Sequence, residues 1–178
     1  MNLTVNDEIF LTEFQPADKA VLVECLAERE IYERTLRLPY PYTEADADAW
    51  FARILPTAER PGRPGIWAVR AAGGRLIGAC GLEGLGESDP WRSHRAEIGY
   101  WLAKPFWGRG VMTAVVGVVC AHGFAEHRLV KITANVFDSN AASARVLEKN
   151  GFVQEGFLRK HYLKDGRYLD VRAYALLK

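Results

Sequence analysis

The sequence predicts an α/β (α+β) fold in one domain over residues 1–178, and three observations predict it. Ala96–Glu126 reads as a strand, a glycine loop and a buried helix in succession. Two hairpin signals, Ala71-Ala72-Gly73-Gly74-Arg75 and Lys164-Asp165-Gly166-Arg167, join strand-like runs. A helix with capping residues at both ends follows directly on the strand-like run Lys131–Val136. At 178 residues the chain is long enough to bury a real core without dividing into several domains.

The elements follow in order. Ile9–Phe14 is a first strand, and Pro16-Ala17-Asp18 opens a helix to about Arg29 with Leu22, Cys25 and Leu26 on one face. Leu36–Tyr42 is extended, because Pro39 and Pro41 each disfavour helix in the residue before them. Thr43 with Asp46 three residues on marks a second helix, Glu44–Leu55, that turns Trp50, Phe51 and Ile54 inward. Arg37, Tyr40 and Tyr42 sit between the helices, either covering a core or lining a pocket. Pro56–Gly65, with Arg60 and Arg63, is a loop; Ile66–Arg70 and Leu76–Leu82 are strands; Gly84–Ser93 is a second loop. After the central stretch come strand Lys131–Val136 and a helix capped by Asp138 or Ser139 that ends at Asn150-Gly151. Strands Phe157–Leu163 and Tyr168–Leu177 close the domain.

Composition sets outer limits on function. Hydrophobic residues make up 49% and charged residues 25%, and 23 basic against 22 acidic side chains leave a net charge of +1. That balance favours neither nucleic acid nor an anionic membrane as a partner. Cys25, Cys80 and Cys120 are odd in number and lie in apolar surroundings, which suits buried free thiols in a reducing compartment rather than disulfides or a metal site. The longest apolar run, Val111–Ala121, is short of the roughly 20 residues that span a bilayer. The amino terminus is acidic and has no signal-peptide core. A soluble, cytoplasmic protein without a metal is expected.

The central stretch carries the chemistry. Ala96, Ile98, Tyr100 and Leu102 share one face of its strand; Glu97, Gly99 and Trp101 share the other. The first turn of the following helix has amide N–H groups without internal partners, and the helix dipole adds positive charge there. Gly108 and Gly110 let the backbone approach a phosphate and adopt positive φ, and Arg109 adds a charged contact. The plainer alternative is a tight turn that caps a core helix. No Gly-Lys-Ser/Thr closes the segment, so it is not a P-loop. A dinucleotide fold is disfavoured as well, since Thr113 stands at the third glycine position and Ala103–Trp107 separate strand from glycines.

Three blocks together carry a resemblance: Ala96–Leu102, then Phe106–Thr113, then Asn140-x-x-Ser143 followed by Val146–Phe152. The chain resembles the GNAT superfamily of acyl-CoA-dependent N-acetyltransferases, in the branch similar to RimJ/RimL, the ribosomal-protein N-terminal acetyltransferases. Pro16–Asp18 and Leu38–Tyr42 fit the same branch, so the resemblance covers nearly the whole domain. It implies a mixed, mostly antiparallel sheet of six to seven strands with splayed central strands, flanked by about four helices. It implies acetyl-CoA as co-substrate, with its pyrophosphate on Trp107, Gly108, Arg109, Gly110, Val111, Met112 and Thr113. Backbone of Trp101 and Leu102 would pair with the pantetheine arm, and Asn140 and Ser143 would lie beside it. The family pattern is only partly kept, because Trp107 and Met112 replace its first and last residues.

The implied reaction is attack of an amine on a thioester, and the amine must first lose a proton. At pH 7 that costs about 1 kcal/mol for an α-amine and about 4.6 for a lysine. Glu97 is the candidate base, acting through water, with a structural ion pair as the alternative. Many relatives use a tyrosine to protonate the leaving thiolate, but Leu147 stands at that position, so Ser143 or Tyr162 takes the role. The expected partner is a small-molecule or peptide amine, with no direct nucleic-acid or membrane binding; a homodimer is among the assembly states open to the chain. A non-catalytic acyl-CoA-binding module is the alternative function. The acceptor depends on Ile31–Tyr42, Pro56–Gly65 and Gly84–His94, which show no readable code.

Overall fold

A computed structural model of the chain describes residues 2–55, 65–85 and 91–178. The basic loop expected over 56–65, with Arg60 and Arg63, lies outside the described residues except for Gly65; so do residues 86–90 of the second loop. The chain forms two compact units, Met1–Gly81 with Tyr100–Val111, and Leu82–Gly99 with Met112–Lys178.

The first unit holds β1 (Leu3–Thr4), β2 (Ile9–Thr12), β3 (Ile66–Ala71), most of β4 (Leu76–Glu83), α1 (Lys19–Leu26), α2 (Arg29–Glu33) and α3 (Glu44–Ile54). Strands β1 to β4 pair consecutively and antiparallel. Gly73 and Gly74, with φ of 85° and 83°, make the turn between β3 and β4. Thr43 and Asp46 close the expected capping box: the Thr43 hydroxyl accepts the Asp46 N–H at 3.3 Å, and the Asp46 carboxylate accepts the Thr43 N–H at 2.8 Å. Phe14, Leu22, Leu26, Ile31, Tyr42 and Phe51 form the core, and half-buried Trp101 and Trp107 pack against it. Tyr42 therefore covers core, whereas Tyr40 stays exposed and stands 5.1 Å from the Tyr32 ring.

One buried ion pair ties this unit together. The Arg70 guanidinium reaches both Asp18 carboxylate oxygens at 2.7 Å and also donates to Thr12 Oγ1 (2.6 Å), the Gly74 carbonyl (3.1 Å) and the Glu13 carbonyl (3.3 Å). Asp18 in turn accepts the Gln15 N–H at 2.8 Å. The helix expected over 16–29 is divided accordingly. A 3₁₀ turn, Pro16–Asp18, precedes α1, and Glu28 is extended with ψ of 118° before α2 begins.

The second unit holds the first part of β5 (Arg95–Leu102), then β6 (Lys131–Phe137), β7 (Val153–Lys164) and β8 (Arg167–Leu177), with α5 (Ala141–Lys149) and nearly all of α4 (Val111–Glu126). β5 and β6 are parallel; β6 pairs with β8, and β8 with β7, antiparallel. The parallel ladder covers only Arg95–Glu97 against Lys131–Thr133, although β5 continues to Leu102 and β6 to Phe137. That is the expected splay. Helix α4 buries Met112, Val115, Val116, Val119 and Cys120, a stripe at helical spacing. Asp165 and Gly166, with φ of 50° and 72°, make the two-residue turn between β7 and β8.

The sheet is mostly antiparallel, as expected, with eight strands rather than six to seven among the described residues. The two-residue β1 is too short to show a period. Five α-helices replace about four, because α2 is a separate turn and a half. The cap of α5 is Asn140, whose Oδ1 accepts the Ser143 N–H at 3.2 Å; Asp138, expected there, instead pairs with Arg172 at 2.6 Å. Among the described residues no helix is long and apolar enough to cross a membrane.

Candidate active site

In the first unit, the site begins where β5 ends. Pro105 starts a 3₁₀ turn, Lys104–Phe106, that redirects the chain. Trp107 follows, and its indole N–H donates to the Leu102 carbonyl at 2.6 Å while the Arg34 guanidinium lies 4.7 Å above its ring. Trp107 is thus a brace for the loop. Leu102 is buried and its carbonyl already accepts that indole proton. The Trp101 carbonyl lies 2.6 Å from where a Cβ on Gly78 would stand, so only glycine at 78 allows β4 and β5 to approach so closely there. The Ala103 N–H completes the junction by donating to the Ile77 carbonyl at 2.7 Å.

Gly108 and Gly110 have φ of 72° and 76°, and among the described residues beyond their chain neighbours no heavy atom lies within 4 Å of a Cβ added to either. The surface above them is open. Helix α4 begins at Val111 and has no acidic residue in its first turn. Met112 is buried, so its side chain belongs to the core. Arg109 lies 5.6 Å from the Phe106 ring and lines a cavity of about 290 Å³ with Asn6, Glu8 and Gly110. Left-handed glycines and a helix start without carboxylates fit the pyrophosphate of a coenzyme A thioester.

In the second unit, Glu97 and Tyr162 meet through a residue that the sequence did not single out. Asn135 on β6 donates from Nδ2 to Glu97 Oε1 and to the Tyr162 hydroxyl, each at 3.4 Å. The register explains how. Glu97 is opposite Thr133, the last parallel pair, and Asn135 lies two residues further along the same face of β6. On β7 the pairing passes from Leu158↔Val171 to Tyr162↔Leu169, so 159–161 bulge opposite Asp170. Lys160 takes φ of 52° there, and its N–H donates to Asp170 Oδ1 at 2.7 Å. Without this bulge Lys160 would face Leu169, so the bulge is what brings Tyr162 into place.

Asn140 and Ser143 are joined through the cap already described. Leu147 is fully buried, so it is a core position rather than a site for an acid. Thr113 meets α5 through Asn150, whose Nδ2 donates to the Thr113 carbonyl at 3.0 Å and to the Val146 carbonyl at 2.8 Å. Cys25, Cys80 and Cys120 are free and buried, and burial pushes the Cys120 thiol up to about 12 and raises that of Cys25. Neither of these two is a thiolate at neutral pH.

The family described as the acetyltransferase (GNAT) domain matches residues 8–153. The chain is 37% identical over 103 residues to an uncharacterized N-acetyltransferase, YoaA, of Bacillus subtilis (strain 168), over 58% of this chain and 56% of that one. It thus spans about half the length of that relative. It is 28% identical over 171 residues to the L-amino acid N-acetyltransferase AaaT of Escherichia coli (strain K12), over 96% and 99% of the two chains. Its fold is similar to that of RimL, a ribosomal L7/L12 alpha-N-protein acetyltransferase solved with coenzyme A: the TM-score is 0.83 at 18% identity, over 99% and 98%.

Proposed function

This chain belongs to the GNAT acetyltransferase family, and from that premise we propose that it transfers the acetyl group of acetyl-CoA to a primary amine by direct attack on the thioester. The observation that carries the mechanism is the placement of Glu97 and Tyr162 within reach of one amide, beside the last β5–β6 pair. Glu97 takes a proton from the ammonium through water. The amine nitrogen then bonds to the thioester carbon as the carbon–sulfur bond breaks. Tyr162 gives its proton to the departing sulfur, the second amine proton leaves to solvent, and Glu97 then releases its proton while Tyr162 takes one back, which restores carboxylate and phenol. The amide and free coenzyme A result.

The remaining assignments follow from the loop. Backbone amides of Gly108 to Thr113 hold the pyrophosphate, with Arg109 as its charged contact. Asn140 and Ser143 lie along the pantetheine arm. A covalent acyl-enzyme is disfavoured by the raised thiols of Cys25 and Cys120. Ser143, in the first turn of the helix capped by Asn140, remains the second reading for the acid. The acceptor is a protein N-terminal amine, an amino acid, a polyamine or an aminoglycoside-like amine; RimL and AaaT exemplify the first two classes. Buried free cysteines support a cytoplasmic setting.

The test is thiol release from acetyl-CoA across a panel of peptides and small amines, with Glu97→Gln beside the wild type. The variant should lose roughly 10²–10⁴ in kcat with little change in coenzyme A affinity. The deficit should shrink as pH rises toward the amine's own pKa. Coenzyme A binding by the wild type without thiol release across the panel would leave an acyl-CoA-binding module instead.

A further inference from the structure

We infer that Asn135 is a positioning residue that serves base and acid together: its amide N–H groups hold the Glu97 carboxylate ready to accept a proton and fix the direction of the Tyr162 hydroxyl. This rests on the reading of Glu97 and Tyr162 as base and acid. Chemistry settles which end of the amide faces them. An ionised carboxylate only accepts, so the Asn135 atom 3.4 Å from Glu97 Oε1 must be the NH₂ nitrogen. The same nitrogen lies 3.4 Å from the Tyr162 oxygen, so its second N–H points there. A phenol oxygen that accepts from Asn135 must aim its own proton elsewhere, and that proton is the one the leaving sulfur needs.

The surroundings keep this arrangement open to a substrate. In the row across the sheet, Asn135 is opposite Ala173, and Ala173 is opposite Gly156. Neither neighbour has a side chain large enough to cover the amide. A Cβ added at Gly156 would meet nothing within 4 Å. The Tyr162 ring is held by Phe137 at 6.3 Å and by His161 at 4.6 Å between centroids. Other charged groups nearby are engaged: Lys131 with Glu155 at 2.6 Å, Asp170 with the Lys160 N–H, and Arg172 with Asp138. Arg159, Lys160, His161 and Lys164 are the further titratable side chains of β7, with the Lys160 ammonium 5.8 Å from the Tyr168 ring and the His161 ring against Tyr162.

Donation to a carboxylate favours its ionised form, and donation to a phenol oxygen favours phenolate. Removing Asn135 therefore moves both equilibria in one direction. In Asn135→Ala, kcat/KM for thiol release should fall about ten- to a hundredfold at neutral pH. Both limbs of its pH profile should move to higher pH, while the calorimetric affinity for coenzyme A stays unchanged. Asn135→Asp places a second carboxylate beside Glu97 and should move the acidic limb further, with rate recovered as pH rises. Asn135→Gln should restore part of the rate, and His161→Gln should leave the displacement intact. Turnover by the wild type, with Asn135→Ala and Asn135→Asp keeping both limbs in place, would overturn the role of Asn135 alone. Loss confined to coenzyme A affinity would overturn it also. Wild-type binding without turnover for any amine would overturn the base and acid assignment on which it stands.

Discussion

Replacing Gly110 tests the phosphate loop with the least ambiguity, because the structure separates its effect on folding from its effect on binding. Gly110 has φ of 76°, a region that costs an L-residue about 1–2 kcal/mol and a β-branched one more. Among the described residues, and apart from Arg109 and Val111 on either side, no protein atom lies within 4 Å of an added Cβ, so Gly110→Ala and Gly110→Val meet no steric wall there. Against a typical stability of about 5–15 kcal/mol, both variants should fold. The backbone relieves its strain by rotating the peptide, and that rotation removes a loop N–H from the phosphate. One charge-assisted hydrogen bond is worth about 1.5–3 kcal/mol, so coenzyme A affinity should fall roughly ten- to a hundredfold. Valine should exceed alanine, since its branch also occupies the phosphate's space. Calorimetric titration with coenzyme A, beside a denaturation curve for each variant, gives both quantities. A folded Gly110→Val with undiminished affinity would refute the cradle.

Two further outcomes follow from side chains already placed. Tyr162→Phe should lower kcat/KM about ten- to a hundredfold, or ~1.4–2.7 kcal/mol, with Ser143→Ala the milder change. The loss is modest because a thiol of pKa near 8.5 leaves readily without full protonation. The opposite ranking in the same assay would give the acid to Ser143, and Leu147→Tyr should rescue neither, since overpacking that buried position costs about 1–3 kcal/mol. Asp18→Ala should destabilise by about 3 kcal/mol, because it strands a buried guanidinium that keeps only weaker oxygens from Thr12, Glu13 and Gly74. In thermal unfolding that is roughly 6–12 °C, and a change under about 1 kcal/mol would show that those three oxygens suffice.

What was legible in the sequence was whatever local chemistry dictates. The Thr43–Asp46 box, the Gly73-Gly74 and Asp165-Gly166 turns and the glycines before α4 announce themselves because a cap or a positive φ narrows the choice of residue. Glu97 stood out by its place on a strand beside the loop. What stayed hidden depends on register. Asn135 alternates with Lys131 and Thr133 like any polar face of a strand, and only the pairing with β5 and the bulge in β7 bring it to Glu97 and Tyr162. That bulge has no sequence period to betray it. Leu147 read as a missing acid because a motif was laid over it, whereas its burial shows a core residue. The division of the first helix at Glu28 escaped because neither Gly nor Pro marks it.

Asn150 closes two helices with one side chain, and this changes how distant substitutions should be interpreted. Its amide is shared between a carbonyl in the first turn of α4 and another near the end of α5. A Cβ on Gly117 would stand 2.9 Å from its Oδ1, so the space for this strap is itself tightly set. The helix that follows the glycine loop and the helix capped by Asn140 are therefore mechanically linked rather than independent levers. In a mutational scan, changes at 117 or 150 should surface among the coenzyme A-affinity variants through the first turn of α4. Engineering that transplants the loop without its strap will carry over the proposed anion site and leave its anchor behind.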